Sequence, residues 1–229
     1  VQVVSRPASE RFHSEHGWLD SRHTFSFAEH DHPAWRGFSD LRVVNEDRVA
    51  PGRGFGTHPH RDMEILSYVV SGALTHRDTL GTGSVIRPGE IQLMSAGRGI
   101  AHSESNGSRT EPVHFLQIWI LPRTRGTAPG YQQRAIPDQD GLVSLASPDG
   151  RDGALTLGQD AELWRLRLPA GGTASLPSPR PRVWVQVVRG TVTVDGRALG
   201  AGDGLGLAPV APVSFVSGDG VEALVFSLR

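Results

Sequence analysis

Four side chains stand out for the chemistry they could do. His58 and His60 lie in Gly56-Thr57-His58-Pro59-His60, and His102 and Glu104 in Gly99-Ile100-Ala101-His102-Ser103-Glu104. Within each pair the spacing is two residues, which on an extended strand projects both side chains from one face. If the two strands meet across one barrel, four ligands converge on a point. Three neutral imidazoles and a carboxylate suit iron, manganese, nickel, copper or zinc; magnesium and calcium prefer shells of oxygen alone. A lone His-x-His usually faces water. Two such pairs, each after a glycine-rich turn, make a divalent-metal site the better reading. All 10 histidines lie at or before His114, so a histidine site belongs to the first half of the chain.

The elements that must carry these residues are strands. Alternating or apolar runs at 22–27, 41–44, 65–70, 74–78, 91–94 and 114–120 are expected as strands in the first half, and at 163–168, 183–188, 191–194 and 223–228 in the second. Residues 122–160 are rich in Pro, Gly and Asp and read as a linker and crossover. No long amphipathic helix is expected. Each half runs strand, Gly-ended turn, short strand, Pro/Gly/Asp turn and strand, which points to two related β-barrels in tandem. The expected domains are 1–122, holding the metal, and 123–229, without metal because it has neither His nor Cys.

Composition narrows the function. The chain has 229 residues, of which 28 are Gly and 16 Pro, in keeping with turn-rich β structure. With a formal net charge of -1, bulk electrostatics argue against nucleic acid or an anionic membrane as the main partner. Cysteine is absent, which excludes disulfides, thiolate ligands and cysteine nucleophiles and permits a reducing cytoplasm. There is no apolar run of about 20 residues to cross a membrane. The chain also lacks lysine and any Gly-x-Ser-x-Gly, so a P-loop and a serine nucleophile elbow are both excluded. A cytoplasmic monomer is the expectation.

Several neighbours of the four residues have two readings. Glu64, four residues after His60, orients a histidine if the strand is unbroken, or else faces water at a rim. His76 and Asp78 alternate on the next strand and read more naturally as a solvated edge than as the mouth of the barrel. His23, His30 and His32 read as capping or packing residues. Trp35, Phe38 and Phe55 could wall the metal site, with core packing the default.

At this point the sequence resembles known families. Gly52, His58-x-His60, Glu64 and Gly72 resemble the first cupin motif, and Gly99-x-x-His102-x-x-x-Asn106 the second. Two features depart from the general pattern: Gly97 stands where a proline is usual, and the gap from Gly89 is longer than the motif allows; in addition, Glu104 competes with Glu64 as the carboxylate ligand. His23-Thr24-Phe25-Ser26-Phe27, the run from Gly54 to Glu64, Met94-Ser95-Ala96-Gly97, His102-Ser103-Glu104, Gln117-Ile118-Trp119 and Val183-Trp184-Val185-Gln186 are similar to the pirin family, in its bacterial branch, over essentially the whole chain. The resemblance implies an all-β bicupin of two tandem double-stranded β-helix barrels. It also implies one metal in the N-terminal barrel, held by His58, His60, His102 and Glu104, with iron(II) the first expectation.

It further implies quercetin 2,3-dioxygenase-like activity. The substrate would be a flavonol that binds through adjacent hydroxyl and carbonyl oxygens and reacts with dioxygen, with Glu104 as the catalytic base. The alternative from another class is a non-catalytic, metal-dependent redox-sensing or regulatory protein that meets a protein partner. A third reading is a sugar or metabolite binder without turnover.

Overall fold

The computed structural model describes residues 3–208 and 212–229. Apart from three short 3-10 turns its regular structure is all β, as expected. No helix among these residues is long and apolar enough to cross a membrane. The chain divides into two compact units, one of Val1–Arg11 with Pro137–Arg229 and one of Phe12–Ile136.

The first unit opens with β1 (Val3–Arg6). The unit Phe12–Ile136 holds eleven strands in order: β2 (Phe12–Glu15), β3 (Leu19–His23), β4 (Leu41–Val49), β5 (Gly54–His60), β6 (Glu64–Ser71), β7 (Leu74–Asp78), β8 (Gly83–Ile86), β9 (Glu90–Ser95), β10 (Ile100–Asn106), β11 (Val113–Ile120) and β12 (Gly130–Ala135). The remainder is β13 (Gly141–Ser147), β14 (Leu155–Thr156), β15 (Glu162–Leu168), β16 (Thr173–Leu176), β17 (Arg182–Val194), β18 (Arg197–Leu199), β19 (Gly204–Leu207) and β20 (Val213–Leu228). Val1–Arg11 with Pro137–Arg229 forms one nine-stranded sheet, in which β1 pairs with β19. Its core is aliphatic, gathered from Val183, Val185, Val187, Phe215, Ala223 and Val225 at alternate positions of β17 and β20.

Phe12–Ile136 contains a seven-stranded sheet, β12-β9-β6-β11-β4-β3-β2, and a four-stranded sheet, β5-β10-β7-β8. Leu74, Ile86 and Phe55 of the smaller sheet pack with Leu19, Val49, Val69, Val113 and Phe115 of the larger, which joins the two layers through an apolar cluster. The buried positions of β10 are different in kind. Ile100, His102, Glu104 and Asn106 face inward while Ala101, Ser103 and Ser105 are half-buried. Three polar side chains inside a barrel require partners. Asn106 finds them in the turn that follows: it donates to the carbonyls of Val49 and Glu111 and accepts from the Ser108 amide.

Two expectations need correcting. Residues 122–160 are not a bare linker: they contain β12, β13 and β14. Gly130-Tyr131-Gln132-Gln133-Arg134-Ala135 has no apolar alternation to reveal a strand, yet it pairs along the whole of β9. The 122/123 boundary therefore falls inside a compact unit, and the break comes after Ile136. Likewise, Glu64 does not continue the strand of His60. The chain turns at Arg61-Asp62-Met63, with Asp62 at φ 50°, and Glu64 opens β6.

The glycine that replaces the usual proline has a physical reason. Gly97 has φ 48°, a left-handed value closed to proline, and a Cβ there would collide with the Thr127 carbonyl oxygen. Its own carbonyl accepts from the Asp62 amide at 2.8 Å, which ties the turn after His60 to the turn before His102. Gly97→Ala is expected to cost about 2 kcal/mol and to lower Tm by several degrees in a thermal unfolding scan. An unchanged Tm would show that this turn relaxes freely.

Candidate metal centre

The two sequence pairs meet as neighbouring strands rather than across the barrel. Antiparallel β5 and β10 place Ile100 opposite His60, Ala101 opposite Pro59 and His102 opposite His58. β5 is the edge of its sheet, so Pro59 removes no ladder hydrogen bond from an inner strand. The register then slips between His102 and Glu104, so that Glu104 faces Phe55. On its other side β10 sets His102 opposite Asp78 and Glu104 opposite His76 of β7.

Three imidazoles form a triangle. The ring centroids of His58, His60 and His102 are 4.6 to 4.8 Å apart, and one nitrogen of each lies within 4.8 Å of the other two. Glu104 belongs to a second such group, with His76 and His102. Its two oxygens are held by the Ser67 hydroxyl, which donates at 3.1 Å, and by the Gln117 amide. Burial raises the pKa of its carboxyl above the usual range, against the opposing pull of His76, Ser67 and Gln117.

His76 and Asp78 do not sit at a solvated edge. Both side chains are fully buried, with His76 Nε2 2.9 Å from Asp78 Oδ2. Burial pushes the Asp78 carboxyl up. The His76 hydrogen bond and the amides of Thr82 and Leu80 outweigh that and hold it below its usual value, so Asp78 is an acceptor. His76 Nε2 therefore carries the hydrogen, and its Nδ1 faces His102 Nδ1 at 3.4 Å. His102 Nε2 in turn faces His58 Nε2 at 3.1 Å, and His58 Nδ1 donates to the Gly56 carbonyl at 2.8 Å.

Counting hydrogens along this row shows what the site can take. Each neutral imidazole carries one ring hydrogen. Three rings between two acceptors, Asp78 and the Gly56 carbonyl, must fill four contacts with three hydrogens. One junction therefore calls for a further cation. A proton is disfavoured, since burial and then the charge of His58 push His60 down to about 4, and burial with His58, His60 and His76 pushes His102 down to about 3. The outer contacts fix the hydrogens of His76 and His58 and leave His102 one hydrogen for two junctions; when it donates to His76 Nδ1, the open junction lies between His58 Nε2 and His102 Nε2, beside His60. The donor set there fits a first-row divalent metal.

The remaining candidates are placed as follows. Glu64 is buried at the start of β6, away from the rim, and its Oε2 accepts from Ser95 Oγ at 2.9 Å. His32 caps a 3-10 turn by accepting from the Ala34 amide. His23 is buried and hydrogen-bonds Ser14. Phe55 does wall the site, edge-on to Trp18 at 5.3 Å. Together with Trp18, Phe27, Trp119, His58 and His60 it lines a cavity of about 380 Å³, inside the ~300–1,000 Å³ range of small-molecule sites. Trp119 stands edge-on to His60 at 5.0 Å, and Phe27 edge-on to Trp119 at 5.4 Å. Among the described residues, every group of three His, Asp or Glu side chains close enough to share a metal lies in Phe12–Ile136.

Comparison with known proteins agrees in fold. The family model described as Pirin matches residues 5–120, and that described as Quercetinase C-terminal cupin domain matches residues 144–228. A protein of Escherichia coli (strain K12) named quercetin 2,3-dioxygenase is 47% identical over 228 residues, which span 99% of this chain and 98% of the relative. The crystal structure of the bacterial pirin YhhW from Escherichia coli in complex with nickel(II) superposes with a TM-score of 0.96 at 45% identity, covering 100% of this chain and 99% of that one. A quercetin 2,3-dioxygenase from Acinetobacter baumannii shares the fold, with a TM-score of 0.77 at 22% identity over 100% of this chain and 86% of its own. The architecture is that of two cupin domains in tandem.

The row from Asp78 to Gly56 predicts the effect of removing its middle acceptor. His76→Phe takes away the group that receives the His102 Nδ1 hydrogen. The apparent affinity for added divalent metal, titrated against a competing chelator, should fall about tenfold to a hundredfold. Unaltered affinity would show that His102 needs no orienting partner.

Proposed function

The chain belongs to the pirin family, and on that premise we propose that it is a metal-dependent dioxygenase opening flavonols such as quercetin. The observation that carries the reading is the convergence of His58, His60 and His102 beside a largely aromatic cavity. In this proposal His58, His60, His102 and Glu104 hold the metal. A divalent ion there would supply Lewis-acid polarisation of the substrate's adjacent oxygens and lower the pKa of its hydroxyl. Iron(II) is our first assignment. Nickel is its main competitor, because the related E. coli pirin holds nickel(II).

The chain's own residues account for the rest. Trp119 and Phe27 present ring edges and faces against which a flat aromatic substrate can lie. They also keep water from the reacting carbons, as ring opening with loss of carbon monoxide requires. Glu104 is proposed as the base that receives the substrate's hydroxyl proton. Ser67 and Gln117 anchor its two oxygens from the opposite sheet, so the carboxylate can give up one contact without leaving the site.

Two measurements test this. His58→Ala and His102→Ala should each abolish stoichiometric metal binding by elemental analysis; full occupancy in both would sink the ligand assignment. Glu104→Gln preserves shape and a neutral oxygen donor but removes the base, and general-base work is typically worth about a hundredfold to ten-thousandfold in rate. Metal content should stay near the unmutated value while flavonol turnover, measured on the same aerobic sample, falls by about that factor. Undiminished activity per bound metal would rule out the base role.

A further inference from the structure

The cavity has a second polar locus on the face of the larger sheet, formed by Ser21 of β3 and Asp47 of β4. The two residues are register partners across adjacent strands. Both are buried, and both line the cavity that the histidines line. The Ser21 hydroxyl hydrogen-bonds Asp47 Oδ1. No other side-chain hydrogen bond to Asp47 occurs among the described residues, so Oδ2 is left for whatever fills the cavity. A carboxyl oxygen on the lining of a cavity is a place where a ligand donor gains.

The charge of the lining says which ligand. Besides Asp47 the cavity wall carries Glu29 and Glu104 but no arginine among the described residues. Away from the histidines, carboxylate and phosphate ligands would meet like charge with no arginine to receive them. A neutral molecule bearing hydroxyl donors on a flat apolar frame meets acceptors at one wall and Trp18, Phe27, Phe55 and Trp119 at the others. Burial, together with the charges of Glu104 and Glu46, pushes the Asp47 carboxyl up to about 7, against the Ser21 hydrogen bond. The group can thus both donate and accept near neutrality.

We infer that Asp47 is a second anchoring point, which takes a ring hydroxyl of a polyphenol whose chelating oxygens face the histidines, so that the site selects polyhydroxylated flavonols over those bearing the chelating pair alone. This rests on the flavonol reading of the site. It adds a specificity residue remote in sequence from the histidine motifs, and it requires no change in how the ring is opened.

The test compares quercetin, with hydroxyls on both outer ring systems, and 3-hydroxyflavone, which has only the chelating pair. Both are titrated into the metal-loaded full-length protein by quenching of the tryptophans that line the cavity, with turnover measured in parallel. Unmutated protein should bind quercetin about tenfold to a hundredfold more tightly, the worth of pairing a buried acceptor. Asp47→Leu should bring the two dissociation constants to within about twofold of each other, while Asp47→Asn, which keeps a donor and an acceptor in place, should retain most of the preference. Equal affinities in the unmutated protein overturn the inference without recourse to any variant, as does a preference that survives Asp47→Leu. Selective binding without turnover would sink the dioxygenase reading and leave Asp47 as the anchor. Turnover without selectivity would sink the anchor alone, and failure of both flavonols to bind would overturn both.

Discussion

The row Asp78–His76–His102–His58–Gly56 has too few hydrogens for its contacts, and the centre depends on that shortage. Both ends are fixed acceptors, one a carboxylate and the other a backbone carbonyl. They dictate which nitrogen carries the hydrogen in His76 and His58, a choice a free imidazole makes almost indifferently. With His102 donating to His76, two lone pairs face each other at 3.1 Å with a third imidazole beside them. Burial depresses the basicity of His60 and His102, so the arrangement favours a metal over a proton. Orientation and electronic preparation of the ligands thus come from one continuous hydrogen-bonded line.

A polar line of this kind has to be placed inside a barrel. The larger sheet faces it with a polar row of its own. His23, Asn45, Gln117, Ser67 and Gln92 stand opposite one another on five successive strands, β3, β4, β11, β6 and β9. Two of these residues, Ser67 and Gln117, reach across to Glu104 of the smaller sheet. The apolar cluster of Leu74, Ile86, Val69 and Phe115 joins the same two sheets elsewhere. One part of the interior therefore supplies cohesion and another supplies chemistry, and the alternation of each strand decides which residues go to which.

The edge position of β5 serves the same end. An edge strand tolerates Pro59, and its half-buried histidines reach both the ladder and the cavity. Gly97 holds the turns on either side of this strand pair in register. The unit of Val1–Arg11 with Pro137–Arg229 has a continuous core made mostly of valine and leucine, and among its described residues no three His, Asp or Glu side chains come close enough to share a metal.

Much of this was written in the residue order. Period-two pairs at 58/60 and 102/104 announced one face of each of two strands, because side-chain direction on a strand is fixed by local geometry alone. The apolar runs from 65 to 70 and from 114 to 120 announced inner strands for the same reason. What local geometry cannot encode is which strand lies beside which. Gly130–Ala135 lacks apolar alternation, and only its pairing with β9 makes it a strand. His76 and Asp78 read as a wet edge until β10 packed against β7 and removed both from water. Asp47, two residues from Asn45 in an otherwise ordinary strand, carried no signal except polar residues at inward positions. Its place in the cavity was set by a register with β3 and β11 that spans the barrel. The sequence by itself determined the candidate ligand types and the strand faces, since these depend on neighbours two residues away. The tertiary structure decided the tautomers, the buried relay and the second wall of the cavity, since these depend on contacts between strands distant in the chain.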